Sequence, residues 1–140
     1  MDWLEKQIKS ELDLGFRPKK KSQFIYKNDE PVAHFSLSKR GRLYELTTVV
    51  VDKSFRNQGI TYEILEKCTQ PSMVFTRNDF LKKALLNSGY QRRKWVGLIP
   101  SLFILIDRIY KFASMVLRLD FKRLFHQIRN LHNYKLYIRE

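Results

Sequence analysis

Apolar and polar positions first sort at helical spacing. Trp3, Leu4, Ile8 and Leu12 fall near one face and Glu5, Lys6, Lys9 and Glu11 on the other, which predicts a short amphipathic helix over 2–13. Gly15 and Pro18 end it, and Lys19-Lys20-Lys21 reads as a solvated basic loop. The pattern then shortens. Residues 23–27 make a candidate strand, with a turn at 28–31. A second strand over 32–38 sets Val32, His34 and Ser36 against Ala33, Phe35 and Leu37. Lys39-Arg40-Gly41-Arg42 is a basic hairpin turn, and 43–51 is a third, central strand. Short turns between three strands imply an antiparallel meander.

The third strand ends in Glu45-Leu46-Thr47-Thr48-Val49-Val50-Val51, a β-branched run without Gly or Pro that suits burial on both faces. Asp52-Lys53-Ser54-Phe55 is turn-like, and Arg56-Asn57-Gln58-Gly59-Ile60-Thr61 leads into apolar residues at helical spacing over 58–69. A strand, a tight turn and a helix start together form an anion-binding design, because first-turn amides have no intrahelical partner and the helix dipole adds positive potential. Gly59 lets an anion come close to the backbone. Pro71 follows, then a short strand over 73–76 that crossover logic places parallel to the central one. Asn78-Asp79 caps a helix over 79–87, with Gly89 beyond its end, and 91–99 reads as a further strand.

Arg56-x-x-Gly59-x-Thr61 resembles the Q/R-x-x-G-x-G/A signature of the GNAT superfamily, the acetyl-CoA-dependent N-acetyltransferases. The element order over about 22–99 fits that resemblance, as do Asn78 and Gly89-Tyr90, which match the family's Asn…Gly-Phe pattern. Thr61 departs from the usual Gly or Ala. The resemblance implies an α+β fold, a mixed and mostly antiparallel sheet with flanking helices, in a single domain over 1–140. It also implies two parallel strands that splay apart around the coenzyme's pantetheine arm. The expected ligand is acetyl-CoA, held by Val49, Val50 and Val51 along the arm and by Arg56, Asn57, Gln58, Gly59, Ile60 and Thr61 at the pyrophosphate, with Asn78 downstream. The expected reaction moves the acetyl group to a primary amine.

Acetyl transfer needs a held coenzyme, a deprotonated amine and a stabilised oxyanion and thiolate. Glu45, eleven residues before Arg56, is the candidate base, with a strand-end ion pair as its equal alternative. Many relatives carry a Tyr acid seven residues after the Asn, but that position is Leu85 here. Tyr90 is the candidate substitute, with Tyr62 or a water as others. This departure supports a second reading, a catalytically weak GNAT-like binding module, associated with a membrane surface. His34 is read as structural, and no Cys, His or carboxylate cluster has metal-ligand spacing.

Composition narrows the partners. Among 140 residues, 44% hydrophobic and 14% aromatic content argues for a folded core. The net charge of +13 favours anionic partners. Nucleic acid is disfavoured, since aromatic and basic residues interleave at helix-core spacing. Cys68 cannot form an internal disulfide and reads as a small buried residue. Together with an N-terminus that lacks a signal-peptide pattern, it implies a cytoplasmic protein. The most apolar run, 95–106, is stopped by Asp107-Arg108 and is too short to span a bilayer. Residues 101–119 and 121–131 are expected helices, the second capped by Asp120, and 134–138 is a last strand. Residues 100–132 thus read as a helical insertion before a last strand within 133–139. Three roles stay open for it: packing on the sheet, forming a homodimer, or lying on an anionic membrane.

Overall fold

The computed structural model describes residues 2–15 and 22–140. Pro18 and the Lys19-Lys20-Lys21 run lie outside the described residues. Helix α1 (Trp3–Ser10) starts where the Asp2 carboxylate accepts a hydrogen bond from the Glu5 amide at 2.9 Å, and it buries Leu4 and Ile8. Strands β1 (Ser22–Lys27) and β2 (Glu30–Arg40) join through Asn28 and Asp29, both at positive φ. Positive φ at both loop positions matches the right-handed twist of the paired strands. Gly41 and Arg42 then turn the chain into β3 (Leu43–Val51).

Helix α2 (Ile60–Lys67) leads to β4 (Ser72–Thr76). Asn78 accepts a hydrogen bond from the Leu81 amide at 3.1 Å and caps α3 (Asp79–Asn87). Strand β5 covers only Gln91–Arg93, followed by α4 (Leu98–Leu117), α5 (Phe121–Arg129) and β6 (Lys135–Arg139). The expected strand over 91–99 is therefore cut short. Gly97, at φ +101°, turns the chain, and Pro100 sits in the first helical turn, where its missing N–H costs nothing. One helix then absorbs residues that sequence pattern assigned to a strand end.

The sheet order is β1-β2-β3-β4-β6-β5. Among the described strands only β3 and β4 run parallel. This is the α+β, mostly antiparallel mixed sheet that the sequence implied. One face carries Leu46, Val74 and Tyr137 against α2 and α3 residues such as Ile64, Leu65 and Leu85. On the other face, Leu43, Met73, Leu136 and Ile138 pack with Val96 and Ile104, while Leu4 and Ile8 of α1 cover Val50.

Arg123 joins the chain's two ends. Sequence pattern places it on the polar side of α5, yet it is only 4% exposed. Its guanidinium donates to the Glu11 and Ile8 carbonyls at 2.8 Å each, to the Leu14 carbonyl, and to Asp120 at 2.9 Å. These bonds satisfy carbonyls released at the end of α1, and Gln127 adds bonds to the Leu12 and Leu14 carbonyls. Arg123→Met keeps the aliphatic stem but removes the guanidinium's bonds to these carbonyls and to Asp120. It is expected to lower unfolding free energy by about 3 kcal/mol, read as a lower urea midpoint. A midpoint within error of the parent protein would refute this role.

Candidate active site

The site begins where β3 and β4 part. They pair only through Tyr44 with Ser72 and Glu45 with Met73. A bulge in β3 accompanies the parting. The β2 register moves from His34 opposite Val50 to Ser36 opposite Thr47, and Thr48 sits at φ +50°. A bulged strand bends and twists more strongly. The extra residue also reverses the alternation: Leu46, Val49 and Val51 all face the α2–α3 core, while Val50 faces α1. His34 is buried at the bulge, with Nδ1 2.9 Å from the Thr48 carbonyl. Beyond Glu45, the β4-facing edge of β3 has no strand partner among the described residues.

A cleft of about 750 Å³ fills this gap. Glu45, Leu46, Thr47, Thr48, Val49, Val50 and Val51 line one wall, and Val74, Phe75 and Thr76 line the other. At its outer end Asp52 closes β3, accepting from the Ser54 amide, Trp3 Nε1 and Gln7 Nε2 at 2.9, 3.0 and 3.2 Å. The hydrogen bond from Trp3 leads those that hold the Asp52 carboxyl below its ordinary value. Asn57 and Gly59 both take positive φ, curling the chain into α2. Gly59 provides no side-chain cap, and an added Cβ there would meet nothing within 4 Å. The first turn of α2 therefore has no side-chain cap, and the space beside Gly59 is open.

The expected binding residues divide. Val49, Val50, Val51, Arg56, Asn57, Gly59, Ile60, Thr61 and Asn78 line the cleft. Gln58 is not among the lining residues; its side chain reaches the Ser54 carbonyl at 3.5 Å. Arg56 donates to the Val51 carbonyl at 3.1 Å and to Glu11 at 3.2 Å, so it buttresses the turn. Lys83 of α3 also lines the cleft and brings a cation that the motif did not indicate.

Glu45 is 1% exposed at the root of the parting. Oε2 accepts from Arg40 Nε at 2.8 Å and Oε1 from Arg108 Nη2 at 2.5 Å. Asp107 joins the same network through Arg40, Arg108 and Lys111 at 3.2, 2.8 and 3.0 Å. The ion pair weighed for Glu45 is thus present, and it still faces the cleft. A carboxylate offers about four acceptor positions, so capacity for a further donor remains. Burial alone would raise the Asp107 carboxyl, but Lys111, Arg40 and Arg108 outweigh it and hold the group below 3.8.

Tyr90 does not line the cleft. It is buried, its hydroxyl lies 2.5 Å from Ser72 Oγ, and Arg139 stacks 4.6 Å from its ring centroid. Burial pushes its phenol up. Leu85 is likewise in the core. The tyrosines at the cleft are Tyr62 and Tyr134. Tyr134 donates to Asp13, which also receives Arg77 Nε and Nη2 at 2.9 and 3.0 Å and lies 2.9 Å from His126 Nε2. Burial and the Asp13 carboxylate raise the Tyr134 phenol, so it holds its proton. Burial would raise Asp13, but bonds from Arg77, Tyr134 and His126 overcome that and lower it. Sequence reasoning missed this wall, which comes from opposite ends of the chain. The α4 lining residues Ile104, Arg108, Lys111 and Phe112 did leave a signal: Asp107, Arg108 and Lys111 share one side of an otherwise apolar helix.

A model of the acetyltransferase (GNAT) family matches residues 1–72, which include the bulged strand, the uncapped turn and α2. The chain belongs to the GNAT acetyltransferase family. Its fold is similar to that of Rv2747 from Mycobacterium tuberculosis, solved in complex with CoA and NLQ. The TM-score is 0.67 at 15% identity, over 96% of this chain and 90% of that one. A second GNAT-family protein, from Bacteroides thetaiotaomicron, aligns over 53% of this chain and 48% of its own at 15% identity, with a TM-score of 0.44. No curated protein matches the sequence.

The lowered carboxyls make a pH prediction. Asp13 and Asp107 both lie below the ordinary 3.8, so the folded chain binds fewer protons than the unfolded one in this range. Their contribution is complete above about pH 5 and is lost as pH falls through the folded values. Urea unfolding is expected to give level stability from about pH 7 to 5 and a decline below about pH 4. Asp107→Asn should flatten part of that decline, and an unchanged acid limb would count against the Asp107 network.

Proposed function

We propose that this GNAT protein is an acetyl-CoA-dependent N-acetyltransferase acting on a primary amine. The observation carrying this reading is the cleft between β3 and β4, which runs to a helix start whose amides have no side-chain cap. In this reading the pyrophosphate lies on the first-turn amides of α2, where Gly59 leaves room and the helix dipole favours negative charge. The pantetheine amides pair with the open edge of β3 at Val49, Val50 and Val51, as an added strand would. From Val51 back to Glu45 is roughly 20 Å of strand, which puts the thioester toward the root of the cleft.

The amine approaches the thioester carbon from the α4 side and loses its proton to Glu45, directly or through a water. Arg108 and Arg40 fix the Glu45 carboxylate, so the base is positioned before the substrate arrives. The nitrogen adds to the carbonyl, and the tetrahedral oxyanion then expels the coenzyme sulfur. That sulfur leaves as a thiolate. A thiol with a pKa of about 8.5 needs little help from an acid near neutral pH. Leu85 at the family's Tyr position is therefore compatible with turnover.

Calorimetry with acetyl-CoA tests the binding half. Saturable binding is expected, weakened about 10-fold or more in Gly59→Val, because a β-branched residue at φ +78° strains the turn. No binding at millimolar coenzyme would reject the reading. For the chemical half, thiol release against an amine panel is expected to fall about 100-fold in Glu45→Gln with coenzyme affinity unchanged. An unaltered rate would reduce Glu45 to its ion pairs.

A further inference from the structure

We propose that the outward side of α4, continued by α5, docks on the surface of an anionic lipid bilayer. Helix α4 is amphipathic in the reverse sense. Its charged residues are Asp107, Arg108 and Lys111, and all three are tied to the network around Glu45. The opposite side carries Leu98, Leu102, Leu105, Ile106, Ile109 and Leu117, which are 50% to 83% exposed, and no charge. Phe121, Phe125 and Ile128 of α5 are also exposed. Apolar surface on this scale marks an interaction site.

The charges around this surface select the occupant. Exposed Arg93, on the α4 face of β5, and exposed Lys94 precede α4, and exposed Arg118, Lys122 and Arg129 follow it. The acidic residues between 92 and 129 are Asp107 and Asp120, and both are bound to arginines of this chain. An apolar centre, a cationic rim and aromatic residues such as Trp95 and Tyr110 match a boundary of acyl chains and anionic headgroups. A second copy would set one cationic rim against another on molecules of charge +13 each. No described helix is long and apolar enough to cross a membrane, so α4 would lie in the plane of the surface, about 30 Å along its axis.

Co-sedimentation of the full chain with phosphatidylglycerol–phosphatidylcholine vesicles, against phosphatidylcholine alone, tests the proposal. Apparent affinity is expected to be about 100-fold higher for the anionic vesicles, at about fivefold per engaged cation, and to fall in high salt. Trp95 fluorescence should shift to the blue on binding, and the shift should vanish in Trp95→Phe. The triple variant Leu102→Glu, Ile106→Glu, Ile109→Glu should lose binding with its circular dichroism unchanged. Should that variant misfold, Arg93→Glu with Lys122→Glu, at exposed rim positions, should weaken binding about 100-fold or more. Protein left in the supernatant with anionic vesicles at low salt overturns the proposal, as does binding indifferent to lipid charge. A solution dimer dispersed by the triple variant, without vesicle binding by the parent protein, assigns the surface to a second copy and overturns it as well.

Discussion

The early parting of β3 from β4 is the constraint on which the rest depends. Two parallel strands that stayed paired would bury their edges in each other and leave no groove. Here pairing stops after Glu45, and the bulge at Thr48 bends β3 while the α2–α3 core stays continuous on one face. Open backbone at the edge of a sheet is normally a liability. Inside a cleft it becomes an ordered row of donors and acceptors. The turn at Gly59 lies at the end of the same strand, so one bend aligns both the open edge and the uncapped amides.

Electrostatics explains how α4 can sit over this groove with its charges inward. Burying Glu45 without partners would carry a desolvation penalty of several kcal/mol. Arg40 from β2 and Arg108 from α4 supply the compensation, and Asp107 in turn balances those two cations and Lys111. An apolar contact of equal volume would often be at least as stable. The network adds direction: a helix held by charges at fixed positions cannot rotate about its own axis. The apolar residues of α4 are then turned outward because the inner side is already committed.

What could be read from sequence follows from the range of the interactions. The meander, the β3-to-α2 turn and the capped α3 rest on local signals, and their boundaries fall within a few residues of the pattern. Strand β5 was overestimated because Val96, Leu98 and Ile99 suit a strand or a helix, and only Gly97 and Pro100 tip the balance. The cleft-lining residues of the motif were legible because strand, turn and helix are contiguous. Arg123 and Asp13 were not. Each acts on a partner more than a hundred residues away, and no periodicity encodes which basic side chain turns inward. Tyr90 was misplaced for a related reason: a Gly-aromatic pair marks a chain reversal, but the aromatic ring fills the core beneath it.

The family match ends at residue 72, whereas the fold likeness to Rv2747 covers 96% of the chain. Physics gives the two halves different obligations. The bulged strand and the turn at Gly59 need particular backbone angles and a missing side chain in the first half. The second half has to return β6 to the sheet beside β4 and cover the α4 face of the core, and many sequences satisfy that. This chain does so by bringing α5 against the segment after α1, where Arg123 and Gln127 hold the wall containing Asp13. The second half of the chain thereby supplies part of the cleft wall, and members of one fold can diverge in function through such segments while keeping the scaffold.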